Sequence, residues 1–239
     1  LGGLQKIPLI IAPEGEFSEG SMQLKTLKKK VYLKYAHLVK LHERVIWKAS
    51  SESEIEEIKR FKGKDGEIFL APNMPPKMIL PEYEQAGKTQ KKPGIVRLIF
   101  LSRIHPTKNL KFLLNLLSEV KDEVILDIFA PPEMTDYVEE RKKIISKLPL
   151  NVKAELRGEV HHDLVAQTLF RYDFFCLPTL GESFGHIIIE SLAAGCPVLI
   201  SDRTPWQDLE KKKIGWDLPL EEPETWVEVL NRCVRLDQA

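Results

Sequence analysis

Two glutamates flank a small loop that could contact a ligand. Glu182 and Glu190 are separated by seven residues, and the loop sequence Ser-Phe-Gly occupies 183–185. The apolar run at 173–178 predicts a strand, and the run at 187–194, apolar on nearly every side, predicts a buried helix. An ionised carboxylate on such a helix is costly without a partner. Glu190 is therefore predicted to meet either a ligand or a buried cation, and Glu182 either a ligand or solvent at an ordinary turn.

Two cations are predicted at the edge of the same sheet. Arg103 directly follows the first strand of an alternating α/β pattern, and Lys108 begins the helix after it. Open α/β sheets bind ligands at the carboxyl ends of their strands. Both side chains are therefore predicted to project from one edge, where an arginine and a lysine can hold a diphosphate. The alternative is a pair of solvated surface cations.

The start of the helix after the loop also favours an anion. Unpaired N–H groups at a helix N-terminus and the positive end of its dipole bind anions. Gly185 lets the backbone approach a phosphate closely, although it could also be a glycine that only turns the chain. His186 either helps to hold that phosphate or packs at the helix start.

Strands and helices alternate from about residue 95 onward, which predicts a Rossmann-like, doubly wound parallel sheet with helices on both faces. Thr107 is the predicted N-cap of the first of these helices, and Thr204 with Pro205 is predicted to open another. The predicted strands are 95–102, 124–130, 152–156, 173–178 and 198–201. The helix with Thr107 as N-cap is predicted at 110–120, and the further helices at 133–147, 162–171, 187–194 and 223–235.

The first 90 or so residues predict only part of a second α/β domain. Strands are predicted at 7–12, 45–47 and 67–71, with helices at 22–44 and 51–61, and Ser51 with Glu54 forms a capping-box pair. Three strands with two helices leave faces uncovered, and the chain opens on Leu1, so we expect it to be a piece of a longer protein. The predicted organisation is a partial N-terminal domain at 1–76, a linker at 77–94 and a C-terminal domain at 95–239.

Composition excludes several classes of protein. The 239 residues are 43% hydrophobic and 29% charged, which is enough for real cores. Lysine plus arginine and aspartate plus glutamate both total 35, so the net charge gives no argument for a nucleic-acid partner. Three cysteines without metal-finger spacing predict buried thiols in a cytoplasmic protein.

The chain resembles the group 1 glycosyltransferases, which are glycosyltransferase family 4 of the GT-B fold. The resemblance rests on the glutamate pair and on two segments, Ser-Arg-Ile-His-Pro-Thr-Lys-Asn-Leu at 102–110 and Cys-Pro-Val-Leu-Ile-Ser-Asp at 196–202. It covers residues 95–234 well and extends weakly to the start of the chain. Ser102 stands where many relatives have glycine, which leaves the charged pair intact.

The resemblance implies a retaining transfer of a sugar from a UDP- or GDP-linked donor to a saccharide or lipid-linked acceptor. It implies that Arg103 and Lys108 stabilise the leaving diphosphate and that Glu182 lies at the reacting face of the donor sugar. It further implies that Glu190 accepts hydrogen bonds from the ribose hydroxyls. The other residues expected to bind the donor are Gly158, Val160, Phe184, Gly185, His186 and Ile187, with the loop at 157–160 around the nucleobase.

No metal and no cofactor are expected, since no cluster of aspartates suggests a divalent cation bridge and the resemblance implies metal independence. The basic helix at 22–44 either contacts anionic lipid at the inner membrane face or is an ordinary solvated helix whose apolar side packs. Two other functions remain open. One is a nucleotide-sugar-binding module without activity; the other is a different GT-B enzyme, such as an epimerase or a phosphorylase.

Overall fold

The computed structural model describes residues 8–18, 21–22, 26–42, 45–62, 67–74, 90–131 and 136–237. The chain divides into two compact units. The first comprises Leu1–Met74 with Leu180–Phe184, and the second comprises Pro75–Thr179 with Gly185–Ala239. Most of the linker predicted at 77–94 lies outside the described residues. Within those residues, no helix is long and apolar enough to cross a membrane.

The second unit is a six-stranded, entirely parallel sheet. Its strands are β4 (Ile95–Leu101), β5 (Glu123–Phe129), β6 (Val152–Gly158), β7 (Phe174–Leu177), β8 (Val198–Ser201) and β9 (Gly215–Leu218). They lie in the order β6-β5-β4-β7-β8-β9, which confirms the predicted doubly wound α/β fold and leaves β6 and β9 as edge strands. The helices are α3 (Leu110–Leu117), α4 (Asp136–Ile145), α5 (Val165–Phe170), α6 (His186–Ala193) and α7 (Pro223–Arg235).

The core of the second unit follows from its sequence pattern. The central strands β7 and β8 are buried along their whole length, as expected of parallel strands covered on both faces. α3 buries five of its eight residues. All three cysteines are free and buried, and burial raises the pKa of the Cys233 thiol to about 12, so it remains protonated at neutral pH.

Two local predictions in this unit are wrong. The helix expected from Thr204 is absent: the described residues 202–205 form bends, 206–208 are irregular and 209–213 form turns. The Thr204 hydroxyl accepts a hydrogen bond from the Trp206 backbone N–H, and the Gln207 amide donates to the Thr204 carbonyl, so side chains take the backbone groups that a helix would use. Thr107 is not the N-cap of α3 either: Asn109 occupies that position, without a side-chain cap.

The first unit contains a three-stranded parallel sheet in the order β1-β2-β3. Its strands are β1 (Leu9–Ile11), β2 (Val45–Ala49) and β3 (Ile68–Leu70), and its helices are α1 (Thr26–Leu38) and α2 (Glu52–Lys62). A small aromatic core holds it together, with Trp47 buried and the rings of Phe17 and Phe61 stacked at 4.2 Å.

Glu54 at the start of α2 organises the first unit. Ser51 caps the helix as predicted, since its hydroxyl accepts from the Glu54 N–H at 3.2 Å. The buried Glu54 carboxylate does not complete the capping box. It accepts instead from the Ser50 N–H at 2.7 Å, the Ser50 hydroxyl at 2.6 Å and the Gly15 N–H at 2.8 Å. Three donors thereby offset the cost of burying the charge.

The apolar side of α1 is exposed, whereas one of the two alternatives for the basic helix required it to pack. Leu27 is 78% exposed and Leu38 is 81% exposed, and so are Val31 and, in the turn after the helix, Leu41. The one fully buried residue that the structure describes in this helix is Ala36. The face expected to be covered is therefore open to solvent in the described part of the chain.

Candidate active site

The order of strands in the second unit places a topological switch between β4 and β7. These neighbours are followed by connections that run to opposite sides in strand order, β4 toward β5 and β7 toward β8. Ligands of open α/β sheets bind outside the carboxyl ends of strands at such a point. The segment after β4 carries Arg103 and Lys108, and the one after β7 leads to α6. The predicted site residues of the second unit therefore cluster at the carboxyl edge of the sheet.

Backbone hydrogen bonds continue this edge beyond the ends of three strands. The N–H of Ser102, just after β4, donates to the carbonyl of Phe129 at 3.1 Å. The N–H of Ala130, just after β5, donates to the carbonyl of Gly158 at 2.8 Å. The starts of the loops after β4, β5 and β6 are thus held together.

Two hydroxyl groups extend the same edge across the switch. The buried Thr179, two residues beyond β7, donates from Oγ1 to the carbonyl of Thr107 at 3.0 Å. The Ser201 hydroxyl at the end of β8 donates to the Thr179 carbonyl at 2.6 Å. These bonds fix the turn that carries the cations relative to β7 and β8.

The two cations lie on a short structured turn. Arg103 is exposed, and among the described residues no carboxylate forms an ion pair with it. Lys108 is half-buried at the end of a 3-10 turn, Pro106–Lys108. His105 shapes this turn, because its ring Nδ1 accepts from the Thr107 N–H at 3.3 Å. The guanidinium of Arg103 is therefore open to an anion from solvent.

The N-terminus of α6 is built for close approach. Gly185 is its N-cap with φ at +75°, and no side chain of the described residues caps it. A Cβ at Gly185 would lie 2.7 Å from Cδ1 of Ile188 and 3.7 Å from Nε1 of Trp206. Glycine is required there both by backbone conformation and by space. His186 is exposed and Ile187 half-buried in the first turn, next to the N–H groups that could bind an anion.

Glu190 is a buried carboxylate without a bonded cation. It is 8% exposed, and in the described part of the chain no side chain donates a hydrogen bond to it or forms an ion pair with it. Burial raises the pKa of Glu190, while positive charge on His162 and His186 acts in the opposite direction. The ion-pair alternative therefore has no cation among these residues. A ligand group that donates hydrogen bonds would supply the Glu190 carboxylate with the partners it lacks there.

Glu182 and Phe184 belong to the segment that packs with the first unit. Both are half-buried. The backbone of this segment is held at Ser183, whose carbonyl accepts from the Ser50 hydroxyl at 3.3 Å. Their predicted roles at the donor sugar stay predictions.

Gly158 is the last residue of β6, the edge strand, and Val160 lies two residues beyond it. Gly158 has φ at +82°, so the chain turns sharply at the strand end. Val160 is half-buried and packs against the core. Within the described residues, no group of three or more His, Cys, Asp or Glu side chains is arranged to hold a metal ion.

Comparison with known proteins gives the family. The family model of glycosyl transferases group 1 matches residues 82–237, more than half of the chain. The chain belongs to the group 1 glycosyltransferases. An uncharacterized glycosyltransferase of Methanocaldococcus jannaschii, MJ1607, is 24% identical over 126 residues, which is 51% of this chain and 32% of that relative.

Solved structures of other glycosyltransferases share the fold. Sucrose-phosphate synthase (tll1590) from Thermosynechococcus elongatus aligns with a TM-score of 0.74 at 17% identity, covering 93% of this chain and 57% of that one. Anabaena Alr3699/HepE, solved in complex with UDP and glucose, aligns with a TM-score of 0.69 at 17% identity, covering 95% and 62%. The predicted GT-B fold, with its Rossmann-like domain, is confirmed. This group 1 glycosyltransferase chain spans less than two thirds of each of these proteins.

Three residues at this edge were missed by the sequence analysis. Thr179 and His105 shape the cationic turn, and Trp206 lies over the start of α6. Threonine and histidine in loops have many uses, so their types alone gave no signal. Trp206 was hidden by the wrong helix prediction at Thr204, although a large aromatic residue in the segment after a buried strand was a signal that could have been used.

Proposed function

We propose that this group 1 glycosyltransferase is a family 4 enzyme that transfers a sugar, with retention at the anomeric carbon, from a UDP- or GDP-linked donor to a saccharide or lipid-linked acceptor. The observation that carries the proposal is that a cationic turn after β4 and the N-terminus of α6 both lie at the carboxyl edge of one sheet. Both are suited to a diphosphate.

The donor would be bound along this edge. Arg103, Lys108 and the N–H groups after Gly185 hold the diphosphate and stabilise the negative charge that grows on it as the bond to the sugar breaks. Glu190 accepts hydrogen bonds from the ribose hydroxyls, because a neutral diol offers two donors to a buried carboxylate without bringing a charge. Glu182 orients the donor sugar.

Protein groups alone stabilise the negative charge on the leaving diphosphate. We expect no metal and no cofactor beyond the nucleotide-sugar. Activity of the full-length protein should then be unchanged by EDTA, and restoration of a lost activity by Mg²⁺ or Mn²⁺ would contradict this part of the proposal.

A donor screen with the full-length protein tests the function. Wild-type protein is incubated with UDP- and GDP-linked sugars and a set of saccharide and lipid-linked acceptors, and transfer is followed by release of the nucleoside diphosphate. Retention is read from the anomeric configuration of the product. Transfer from a UDP- or GDP-sugar with retention supports the proposal, and an inverted product would refute the family 4 mechanism.

The alternative is a module that binds the nucleotide-sugar without transferring it. It is favoured if calorimetric titration of this chain with UDP or GDP shows binding while the full-length protein forms no product with any acceptor. Reversible formation of a sugar phosphate from a glycan and added inorganic phosphate would instead identify a phosphorylase, and interconversion of sugar nucleotides would identify an epimerase.

We also propose peripheral contact with anionic lipid through α1. Leu27 and Leu38 are largely exposed on a helix that also carries exposed Lys28, Lys30 and Lys34. Exposed apolar side chains beside lysines are suited to the surface of an anionic bilayer. Co-sedimentation of the full-length protein with anionic but not neutral vesicles is expected, and equal binding to both would remove the idea.

A further inference from the structure

A buried carboxylate joins two ends of one connection in the second unit. Asp127 lies on β5 and is 9% exposed. Its Oδ1 accepts from Nε of Arg157 at 2.7 Å, and its Oδ2 accepts from the hydroxyl of Tyr172 at 2.7 Å. Each carboxylate oxygen therefore has its own donor, and the two donors come from opposite ends of the connection from β6 to β7.

Arg157 stands where β6 departs from regular pairing. Ile128 is in register with Leu156 and Phe129 with Gly158, so Arg157 is the extra residue of a bulge. A bulge bends the strand and re-aims the chain that follows it. The next residue, Gly158, has positive φ, and the loop 158–160 begins there. Because Asp127 holds the bulged residue, it also fixes the direction in which that loop leaves the sheet.

Tyr172 holds the other end. It lies in the short segment between α5 and β7, and its ring lies edge-on to Phe129 with centroids 6.2 Å apart. Burial, followed by the hydrogen bond to Asp127, raises the pKa of Tyr172, so the hydroxyl keeps its proton and remains a donor. The connection from loop 158–160 through α5 is thereby held to the sheet face at both ends. We call Asp127, Arg157 and Tyr172 together the clamp.

Loop 158–160 lies at a distance from the cationic turn that fits a nucleotide. The cationic turn follows β4, and the loop follows β6, two strands away along the same edge, which corresponds to about 10 Å at ordinary strand spacing. That separation is of the order of the distance from the base to the phosphates of one nucleotide. A diphosphate held near β4 would then present its nucleobase toward the loop.

We propose that Asp127 is a positioning residue for the donor nucleobase, acting through Arg157 and Tyr172 to set loop 158–160. This inference rests on the proposed function, because it takes the ligand of the edge to be a nucleotide. Asp127 touches no ligand itself. Its effect is confined to the part of the ligand that loop 158–160 meets, so loss of the clamp weakens recognition of the base and leaves recognition of the phosphates intact.

Calorimetric titration tests this separation directly. Wild type, Asp127→Asn and Tyr172→Phe are each titrated with UDP, GDP and inorganic pyrophosphate, which lacks a base. For the nucleotide that wild type binds more tightly, we expect affinity to fall about tenfold in Asp127→Asn and about threefold in Tyr172→Phe, as for loss of charged hydrogen bonds. Pyrophosphate affinity should stay within about twofold.

Two consecutive residues of α4 provide the matched control substitutions. Asp136→Asn removes an exposed carboxylate, and Tyr137→Phe removes the hydroxyl of a half-buried tyrosine whose ring lies under Arg141. Neither is expected to change the affinity for any of the three ligands. In full-length enzyme, the two clamp variants should raise KM for the donor while kcat stays near the wild-type value.

The outcomes are distinct. Equal loss of nucleotide and pyrophosphate affinity would reveal a merely structural role and overturn the inference, and so would unchanged nucleotide affinity in both clamp variants. Tyr172→Phe deletes a single oxygen atom, so it carries the test if Asp127→Asn does not fold. A wild-type protein that binds neither nucleotide would contradict the proposed function, and this inference with it.

Discussion

The hydroxyl of Thr179 donates a 3.0 Å hydrogen bond to the carbonyl oxygen of Thr107, in the turn that carries the two cations. Thr179→Val keeps the shape and removes the donor, which should cost about 1 kcal/mol of stability. If the turn positions the cations, kcat/KM should also fall about tenfold. Thr225→Val, which breaks a bond from Thr225 to Glu222 at the start of α7, is the control and should leave kcat/KM unchanged.

Removing either cation should lower the rate far more than the stability. Arg103→Ala and Lys108→Ala are each expected to reduce kcat by about 100-fold or more, the range seen when a group that stabilises developing charge is lost. Thermal unfolding should change little, because Arg103 is exposed and Lys108 only half-buried. Lys111→Ala, which removes a surface ion pair with Glu140, is the control. Unchanged turnover in either active-site variant would contradict its role.

The start of α6 can be tested with two glycines that flank the same helix. Gly185→Ala should weaken diphosphate binding about tenfold, because the new methyl group displaces Ile188 and the backbone at the anion site. Gly195→Ala is a matched control: Gly195 also has positive φ, but nothing lies within 4 Å of its Cβ position. Both variants should lose stability through backbone strain, so calorimetry with pyrophosphate, not thermal unfolding, distinguishes them.

Glu190 should make the protein less stable as pH rises. Burial raises its pKa above the ordinary 4.5, so between these two values the native state binds more protons than the unfolded chain. The free energy of unfolding therefore falls as pH increases through this window. Glu190→Gln removes the effect, so the variant should gain stability relative to wild type as pH rises above the ordinary carboxyl value of 4.5. Denaturant unfolding at several pH values measures the free energy of unfolding of both proteins. A stability difference that changes with pH in the opposite sense would exclude a raised pKa of Glu190.

Glu54 should dominate the stability of the first unit. Glu54→Gln replaces one acceptor oxygen with an NH₂ donor that faces either the Gly15 N–H or the two Ser50 donors, which should cost about 2 kcal/mol. Trp47 is the one tryptophan in this unit's sequence, and its emission reports on local unfolding. Glu56→Gln, on the same helix with a surface pair to Lys59, should change little. Equal behaviour of the two variants would mean that the Gly15 and Ser50 bonds add nothing.

Much of the second unit was predictable because its strands are short apolar runs between turn signals. β8 and α7 were found at their observed bounds, and β4 ends one residue before its predicted end. Parallel strands buried on both faces leave this strong signal in sequence. The positions of Arg103 and Gly185 at strand and helix ends followed from the same pattern.

The failures have a common cause in side chains that bond locally or across the fold. Thr204 resembled a helix start, but its hydroxyl serves a turn instead. Thr179 and Asp127 act on partners 72 residues away and 30 or 45 residues away, and no periodic pattern records such pairs. The exposed apolar side of α1 has a different cause, because periodicity gives the side of a helix that is apolar but not what covers it.

The edge position of β6 also bears on how this domain avoids aggregation. An open strand edge offers unpaired backbone groups to the strands of other molecules. β6 alternates Lys153, Glu155 and Arg157, all exposed, and then bends at its bulge. Charge and curvature together discourage a second sheet from extending this one. Arg157, which Asp127 holds in place, is thus one of the charges that disfavour pairing of this strand with a strand of another molecule.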